Sequence, residues 1–313
     1  MWFIMKTNKR YINFSLIILL TLILFGCEQP KESWKPNTNW GHWRFGHKSD
    51  KEFLEKNKFT VTMGQGAPRF ENTPREEFDQ AMEKAKIFNK QYHDEGYILL
   101  GYISPSINGQ SGSNCDTPTK DQVRLLKFYN ESWDGYKDYI GPKPEEDPTT
   151  WMMVRSDGTF PFYRYAPYGQ ETGPGFEAWG CPNNPNFVHL MEGRLRAQAE
   201  TGLDGSYIDW TQISGETCYC KYCNSSFKAY LKENLPADIA NKKYQTADFD
   251  NINLPEKSGD PFWMEWLQFR GYSVAEMHKH LRAVARNYNP NFMLSGNVFG
   301  GFGFGPIAYD AAG

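Results

Sequence analysis

The order of apolar and polar positions along the chain predicts strands that alternate with helices. Residues 59–63 form a short β-rich segment, and residues 97–103 are almost continuously apolar, the pattern of a parallel strand covered on both faces. Between them, apolar side chains recur at helical spacing over residues 78–92. Thr73, within a capping box, is expected to cap this helix, and Gly96 is expected to end it.

The same alternation continues along the rest of the chain. Helices are predicted at about residues 120–139, 187–202, 227–231 and 262–288, and strands at residues 151–154, 206–208 and 292–295. Residues 156–180 are rich in glycine, proline and aromatic residues, and are expected to form a long functional loop.

Repeated strand-then-helix units predict a parallel sheet, either in an α/β barrel or in a doubly wound fold. Neither glycine-rich phosphate-binding motif follows a predicted strand, which weighs against the nucleotide-binding folds. The expected class is therefore α/β, a (β/α)8 TIM barrel over residues 58–313. Five strands are predicted where eight are needed, and glycine-rich residues 300–305 are followed by no closing helix, so we expect a barrel truncated after about five strands.

The first residues have the pattern of a targeting segment. Three basic residues precede an apolar run over residues 14–25, the length of a signal peptide. Its end, Leu-Phe-Gly-Cys, resembles a bacterial lipobox. We therefore expect a lipoprotein signal peptide over residues 1–26, lipidation of Cys27, and a tether and N-terminal segment over residues 27–57. Such a protein is exported and anchored to the cell envelope, on the periplasmic or outer-membrane face. Ordinary secretion and an uncleaved anchor are the alternatives.

Composition narrows the classes of partner. Lys plus Arg number 34 and Asp plus Glu 37, so the formal net charge of −3 excludes nucleic-acid binding through a general basic field. Aromatic residues make up 16% of the chain, and their flat apolar rings often line sites that stack on similar faces. Sugar rings present such faces, so the aromatic share is a hint of a carbohydrate ligand.

The cysteines predict a metal site. Cys218, Cys220 and Cys223 lie so close in sequence that they suit one shared ion better than separate disulfides. Cys181, in a Gly-Cys-Pro turn, is the better candidate for the fourth ligand than Cys115, which lies in a loop rich in Gly, Ser and Asn. A closed thiolate site of this kind holds zinc in a structural role, since it has no open position for substrate. A disulfide from Cys181 to Cys218 or Cys220 is the alternative.

Candidate site residues follow from the barrel prediction, because parallel barrels place their active sites at the carboxyl ends of the strands. Asp209 directly follows the strand predicted at residues 206–208 and is the candidate catalytic residue, as acid/base or nucleophile. Three residues are candidates for substrate binding, and each also has a structural explanation. Trp210 is expected either to stack on a sugar or to fill the barrel rim. Asn297 is expected either to bind a sugar hydroxyl or to cap the glycine-rich loop. Asp204 is expected either to bind substrate or to form a turn.

The segment from Asp209 to Leu231 resembles glycoside hydrolase family 42, the bacterial β-galactosidases and their uncharacterised barrel relatives. In that family an Asn-Glu pair on strand four precedes a CxCxxC zinc motif by about the nine residues that separate Asp209 from Cys218. A further cysteine lies upstream in the family, where Cys181 falls. Residues 266–297 are also similar to the family's pattern.

The resemblance has two departures. The family's acid/base glutamate is matched by the shorter Asp209, and the preceding asparagine by Ile208. The DGxxxD sequence of residues 204–209 is closer to barrel hydrolases in which the strand-four aspartate is the nucleophile or holds a sugar hydroxyl.

The resemblance implies a hydrolase of poly- or oligosaccharides, whose chemistry needs two carboxylates that flank the scissile bond. The sequence places only Asp209, and the second is expected on a strand beyond the chain. The expected partners are a carbohydrate substrate, the membrane through the lipid anchor, and a second copy in a homo-oligomer, with no nucleic acid. A non-catalytic carbohydrate-binding lipoprotein with the same barrel is the alternative, and a metal-dependent barrel hydrolase is a third hypothesis.

Overall fold

The computed structural model describes residues 51–56, 58–110, 116–165, 175–209, 213 and 216–296, which all belong to one compact unit. The predicted signal peptide, Cys27 and nearly all of the tether lie outside the described residues, as do Cys115, Trp210 and Asn297. Within the described ranges, no helix combines the length and the apolar character needed to cross a membrane.

The described residues form eight α-helices and seven strands. The helices are α1 (Lys51–Lys56), α2 (Arg75–Asp94), α3 (Arg124–Glu131), α4 (Lys137–Ile140), α5 (Pro185–Glu200), α6 (Lys221–Asn234), α7 (Ala237–Tyr244) and α8 (Trp263–Arg286). The strands are β1 (Val61–Met63), β2 (Ile98–Ile103), β3 (Ser106–Asn108), β4 (Phe162–Tyr165), β5 (Gly175–Trp179), β6 (Gly205–Ile208) and β7 (Met293–Gly296). Short 3-10 helices lie at Phe70–Asn72, Lys120–Gln122, Trp133–Tyr136, Pro148–Thr150 and Phe249–Asn251.

Four parallel strands form the main sheet, in the order β1-β2-β6-β7. β2 pairs directly with β6, with Ile103 opposite Ile208, although a long segment separates them in sequence. Gly205 allows β6 to approach β7 closely, because a Cβ atom there would lie 2.5 Å from the carbonyl oxygen of Met293. The α/β class is confirmed, and the parallel sheet is consistent with part of a TIM barrel.

Helices cover one face of this sheet. Leu99, Ile103 and Ile208 are buried in the main core together with apolar side chains of α2, α5 and α8. Because side chains alternate between faces, Tyr102 and Tyr207 project from the other face. These two tyrosines are opposite each other in the register, and their rings stack with centroids 6.2 Å apart. Tyr102 is 36% exposed, so the described part of the chain leaves this face accessible.

The strand predicted at residues 151–154 is wrong. The side chains of Trp151, Met152 and Met153 are buried. These residues directly follow a 3-10 helix, and Met152 forms an isolated antiparallel bridge with Gly180 instead of a strand of the parallel sheet. A short apolar run satisfies a strand pattern and a buried turn equally well. The parallel sheet therefore has four described strands instead of five, and β6 is the third of them.

The long loop predicted at residues 156–180 contains two strands. β4 and β5 join β3 in an antiparallel sheet of order β3-β5-β4. Only Ser104 and Pro105 separate the end of β2 from the start of β3, so the antiparallel sheet lies at the carboxyl end of β2. In β5 the alternation is visible in the burial of Phe176 and Ala178 against the partial exposure of Glu177.

Two helix predictions need correction. α2 begins at Arg75 with Pro74 in the N-cap position and no side-chain cap, so the capping box at Thr73 is wrong. The carbonyl of Thr73 instead accepts a hydrogen bond from the Tyr136 hydroxyl. The helix predicted at residues 120–139 is interrupted by 3-10 turns that bury aromatic side chains. The helix end at Gly96, where φ is +87°, is confirmed.

Candidate active site

Asp209 lies at the carboxyl edge of the parallel sheet. Its backbone N–H donates to the carbonyl of Ile103 at 2.9 Å, which extends the β2–β6 pairing by one residue. The residue is 6% exposed, and its Oδ2 accepts a hydrogen bond of 2.7 Å from the Tyr102 hydroxyl. Burial raises the pKa of Tyr102, and the Asp209 carboxylate raises it further, so this hydroxyl stays protonated and donates.

Arg69 joins the connections that follow β1 and β2. Its Nη1 donates to Asn108 Oδ1 at 3.1 Å, and its Nη2 donates to Ser106 Oγ at 3.0 Å and to the Ser104 carbonyl at 3.4 Å. These bonds place a guanidinium group beside the polar residues at the end of β2. The charge lies at the same edge of the sheet as Asp209.

A buried ion pair supports this edge from the helical side. Arg194 of α5 contacts Glu71 at 2.5 Å, with side chains 4% and 3% exposed, and also donates to the Ser104 carbonyl at 3.2 Å. Burial lowers the pKa of Arg194 to about 10, while the charge of Glu71 opposes that change, so Arg194 remains charged at neutral pH. Removal of Glu71 would leave the buried charge of Arg194 uncompensated, whereas Glu71 also has Arg69 at 3.6 Å.

The structure brings a second carboxylate to the edge, Glu177, which is not among the residues predicted from the sequence. Glu177 of β5 lies opposite Asn108 in the antiparallel register and accepts a hydrogen bond of 3.4 Å from Ser106 Oγ. Burial raises the pKa of this half-buried side chain; Arg69 and Ser106 oppose the rise, and the charge of Asp209 adds to it. The alternation of apolar residues around Glu177 was the available sequence signal.

Asp204 lies at the opposite edge of the sheet. It directly precedes β6, and its Oδ2 accepts a hydrogen bond of 2.7 Å from the Leu99 backbone N–H and lies 2.8 Å from His93 Nε2. These contacts join the end of α2 to the start of β2. They describe a structural residue and give no support to the substrate-binding role predicted for Asp204.

The cysteine prediction corresponds to a compact cluster. The sulfur atoms of Cys181, Cys218, Cys220 and Cys223 all lie within 4.8 Å of one another. Cys181 Sγ is 3.5 Å from Cys220 Sγ and 3.4 Å from Cys223 Sγ. These distances exceed the roughly 2.05 Å of a disulfide bond. They approach the edge of about 3.8 Å that a tetrahedron with zinc–sulfur bonds of about 2.3 Å requires.

The surroundings of the cluster suit a bound cation. Cys181 is fully buried, and burial raises the pKa of its thiol, so four thiolates would need a cation among them. Cys220 caps the N-terminus of α6, where the helix dipole favours negative charge. Asn183 Nδ2 donates to Cys223 Sγ at 3.3 Å, and the buried Arg270 guanidinium interacts electrostatically with Cys218 and Cys223. The donor set and its partners fit Zn²⁺.

The same arginine connects the cysteine cluster to the chain that follows Asp209. Arg270 Nη2 donates to the carbonyl of Ile213 at 2.6 Å, and Ile213 lies between β6 and the cysteines. Phe227, Trp266 and Phe269 pack around the cluster in a second apolar core. The four cysteines therefore belong to this second core, and Arg270 connects that core to Ile213, in the segment that follows Asp209.

The parallel sheet and its polar carboxyl edge define an α/β protein of the barrel class, with Asp209 at the end of β6. Residues 150–311, slightly more than half of the chain, match the family model of glycoside hydrolase family 42, described as beta-galactosidase. The chain belongs to this family, and the resemblance drawn from the cysteine motif is confirmed.

Individual relatives match a part of the chain. It is 28% identical to beta-galactosidase Pbg of Clostridium perfringens over 133 residues, which cover 37% of this chain and 19% of that protein. With beta-galactosidase LacZ of Lactobacillus acidophilus the identity is 24% over 143 residues, 38% of this chain and 21% of that protein. The match thus spans about a fifth of the length of these relatives. A solved beta-galactosidase from the psychrophilic Marinomonas ef1 aligns with a TM-score of 0.46 and 11% identity, over 79% of this chain and 34% of that chain.

The contacts of Asp204 predict a stability effect. Asp204→Ala removes the acceptor for the Leu99 N–H and the partner of His93, and should lower the free energy of unfolding by about 1 to 2 kcal/mol, measured by urea denaturation. Asp134→Ala is the matched comparison, because Asp134 forms an exposed ion pair with Lys137. That substitution should change the free energy by less than about 0.5 kcal/mol. Equal stability of the two variants would contradict the structural role of Asp204.

Proposed function

We propose that this protein is a glycoside hydrolase that acts on poly- or oligosaccharides at the carboxyl edge of its parallel sheet. Asp209 takes part in the reaction as acid/base or nucleophile. The observation that supports this proposal is the nearly buried Asp209 carboxylate, which accepts the Tyr102 hydrogen bond at the end of β6. The named relatives are beta-galactosidases, so β-galactosides are the first substrates to test.

The arrangement around Asp209 suits a carbohydrate. The ring of Tyr102 is partly exposed beside Tyr207 and offers a flat apolar surface on which a sugar ring can stack. Arg69, Ser106 and Asn108 supply donors and acceptors for hydroxyl groups at the same edge. Glycoside hydrolysis needs carboxylates that act at the anomeric centre, and it also needs hydrogen-bonding groups that hold the sugar hydroxyls.

The decisive substitution for this proposal is Asp209→Asn, which keeps the shape of the side chain and removes its charge. Release of reducing sugar from β-galactosides and a wider glycan panel should fall by about 10³-fold or more relative to the full-length wild-type protein. Asp134→Asn, on an exposed 3-10 turn, should leave the rate unchanged.

Two results would contradict the catalytic proposal. Full activity of Asp209→Asn, with an unchanged melting temperature, would place the reaction elsewhere. A wild-type protein that binds glycans and releases no sugar would favour the alternative, a non-catalytic carbohydrate-binding lipoprotein with the same fold.

We propose further that Cys181, Cys218, Cys220 and Cys223 hold a structural Zn²⁺. The ion would balance the buried thiolates and fix the connection that leads away from Asp209; with four protein ligands it leaves no position for substrate. The burial of the sulfur atoms and the contacts of Asn183 and Arg270 support this assignment.

Metal analysis tests the zinc proposal. Purified protein should contain about one zinc per chain, and Cys181→Ser should lose the zinc and lower the melting temperature. Cys115→Ser should keep the zinc and the melting temperature, because Cys181 is the cysteine that joins Cys218, Cys220 and Cys223 in the cluster. Metal-free protein whose cysteines are joined by disulfides would favour the disulfide alternative. Loss of activity on zinc removal without a change in melting temperature would favour a metal-dependent hydrolase.

We propose that the protein is exported and anchored to the cell envelope through a lipid on Cys27. The basic residues, the apolar run and the lipobox-like sequence at the N-terminus support this proposal. Cells that express the wild type should incorporate labelled palmitate into the protein, and Cys27→Ser should abolish the label. Label that persists in Cys27→Ser, or a wild type that is secreted without label, would contradict the anchor.

A further inference from the structure

We propose that one face of the antiparallel sheet binds a second sugar unit of the substrate, with the ring of Tyr163 as its stacking surface. The ligand class is therefore an oligosaccharide, of which one unit lies at Asp209 and a further unit lies on this sheet. The inference rests on the proposed function, since it extends the site at Asp209 by one sugar unit.

The strand register builds this binding surface. Asn108 of β3 lies opposite Glu177 of β5, and Glu177 lies opposite Tyr163 of β4. Residues that are directly opposite in an antiparallel sheet project from the same face, so these three side chains form one cross-strand row. Neighbouring strands are about 4.8 Å apart, and the row therefore extends over roughly 10 Å from β3 to β4.

The two faces of the antiparallel sheet differ in burial. Ile107, Phe176 and Ala178 project from the other face and are buried in the main core. On the face of the cross-strand row, Glu177 is half-buried and Tyr163 is 51% exposed. Tyr163 thus presents a flat apolar ring to solvent beside a carboxylate, which matches the apolar face and the hydroxyl groups of a sugar.

Polar groups of the row are available for a ligand. Asn108 Oδ1 accepts a hydrogen bond from Arg69 Nη1 at 3.1 Å, and Glu177 Oε1 accepts one from Ser106 Oγ at 3.4 Å. Within the described part of the chain, Nδ2 of Asn108 and Oε2 of Glu177 make no hydrogen bond. One donor group and one acceptor therefore remain on the same face as the exposed ring, where they can bind sugar hydroxyls.

The row is continuous with the candidate site at Asp209. Ser106, which donates to Glu177, also accepts a hydrogen bond from Arg69 at 3.0 Å. The charge of Asp209 raises the pKa of Glu177, and the charges of Arg69 and Glu177 act on Tyr102. Interactions of this kind weaken with distance, so the two carboxylates and Tyr102 belong to one neighbourhood.

This arrangement separates two contributions to substrate binding. A methyl glycoside has one sugar ring and occupies only the place beside Asp209 and Tyr102. An oligosaccharide also reaches the cross-strand row, so Tyr163 contributes to the preference for longer substrates and takes no part in the reaction at Asp209.

Chain-length dependence tests this assignment in the full-length protein. Tyr163→Ala should lower kcat/KM for β-1,4-galactotriose by about tenfold, the effect of one lost stacking contact, and should change it for methyl β-galactoside by less than about twofold. Tyr163→Phe keeps the ring and should retain the wild-type values for both substrates. Tyr288→Ala removes a tyrosine that is similarly exposed, at 45%, and should leave both values unchanged. If the glycan panel identifies another sugar, its methyl glycoside and trisaccharide replace the galactosides.

Binding calorimetry separates this inference from the proposed function. In the Asp209→Asn background, Tyr163→Ala should weaken the binding of galactotriose by about tenfold and leave the binding of galactose unchanged. If Tyr163→Ala does not fold, as judged by its melting temperature, Tyr163→Thr, which also favours a strand, should show the same selective loss.

Each other outcome has a distinct meaning. Equal losses on the short and the long ligand, or no loss on galactotriose, would overturn the sugar-binding surface, while hydrolysis by the wild type would still support the proposed function. A wild type that releases no sugar from any glycan but binds galactotriose through Tyr163 would overturn the catalytic proposal and support the surface. A wild type that neither hydrolyses nor binds these ligands would overturn both.

Discussion

The direct pairing of β2 with β6 is the constraint on which the rest of the structure depends. It sets Tyr102 opposite Tyr207 and places the Asp209 N–H on the carbonyl of Ile103. Because neighbouring parallel strands share a carboxyl edge, this one register puts the end of β2 and the end of β6 together. A shift of β6 by one residue against β2 would turn Tyr207 and Asp209 toward the helices.

The segment between β2 and β6 leaves the carboxyl edge of the sheet at Ser104 and contacts it again through α5. It forms the antiparallel sheet, passes through Cys181 and enters α5, whose Arg194 holds the Ser104 carbonyl. After β6, Arg270 donates to the carbonyl of Ile213 and interacts electrostatically with the cysteine cluster. Buried arginines thus hydrogen-bond to Ser104 after β2 and to Ile213 after β6.

Local sequence patterns predicted those parts of the fold that depend on neighbours in sequence. The apolar run of β2, the spacing of α8 and the CxCxxC motif are each short-range signals, and the structure has each of them. The antiparallel sheet and Glu177 were missed because they depend on pairing between β3 and β5, which lie far apart in sequence. For Asp204, the sequence leaves the substrate-binding and the turn explanations open, because its separation from Asp209 does not reveal that the two residues lie at opposite edges of the sheet.

The central claim is that a sugar binds at the carboxyl edge of the β2–β6 pair, against Tyr102 and Asp209. A crystal structure of the full-length protein with a bound galactose or galactoside measures this directly. We expect a sugar ring against Tyr102, with its anomeric centre facing the Asp209 carboxylate. A sugar bound elsewhere, for example in the cleft of about 570 Å³ lined by Thr73, Arg124 and Lys127, would contradict it.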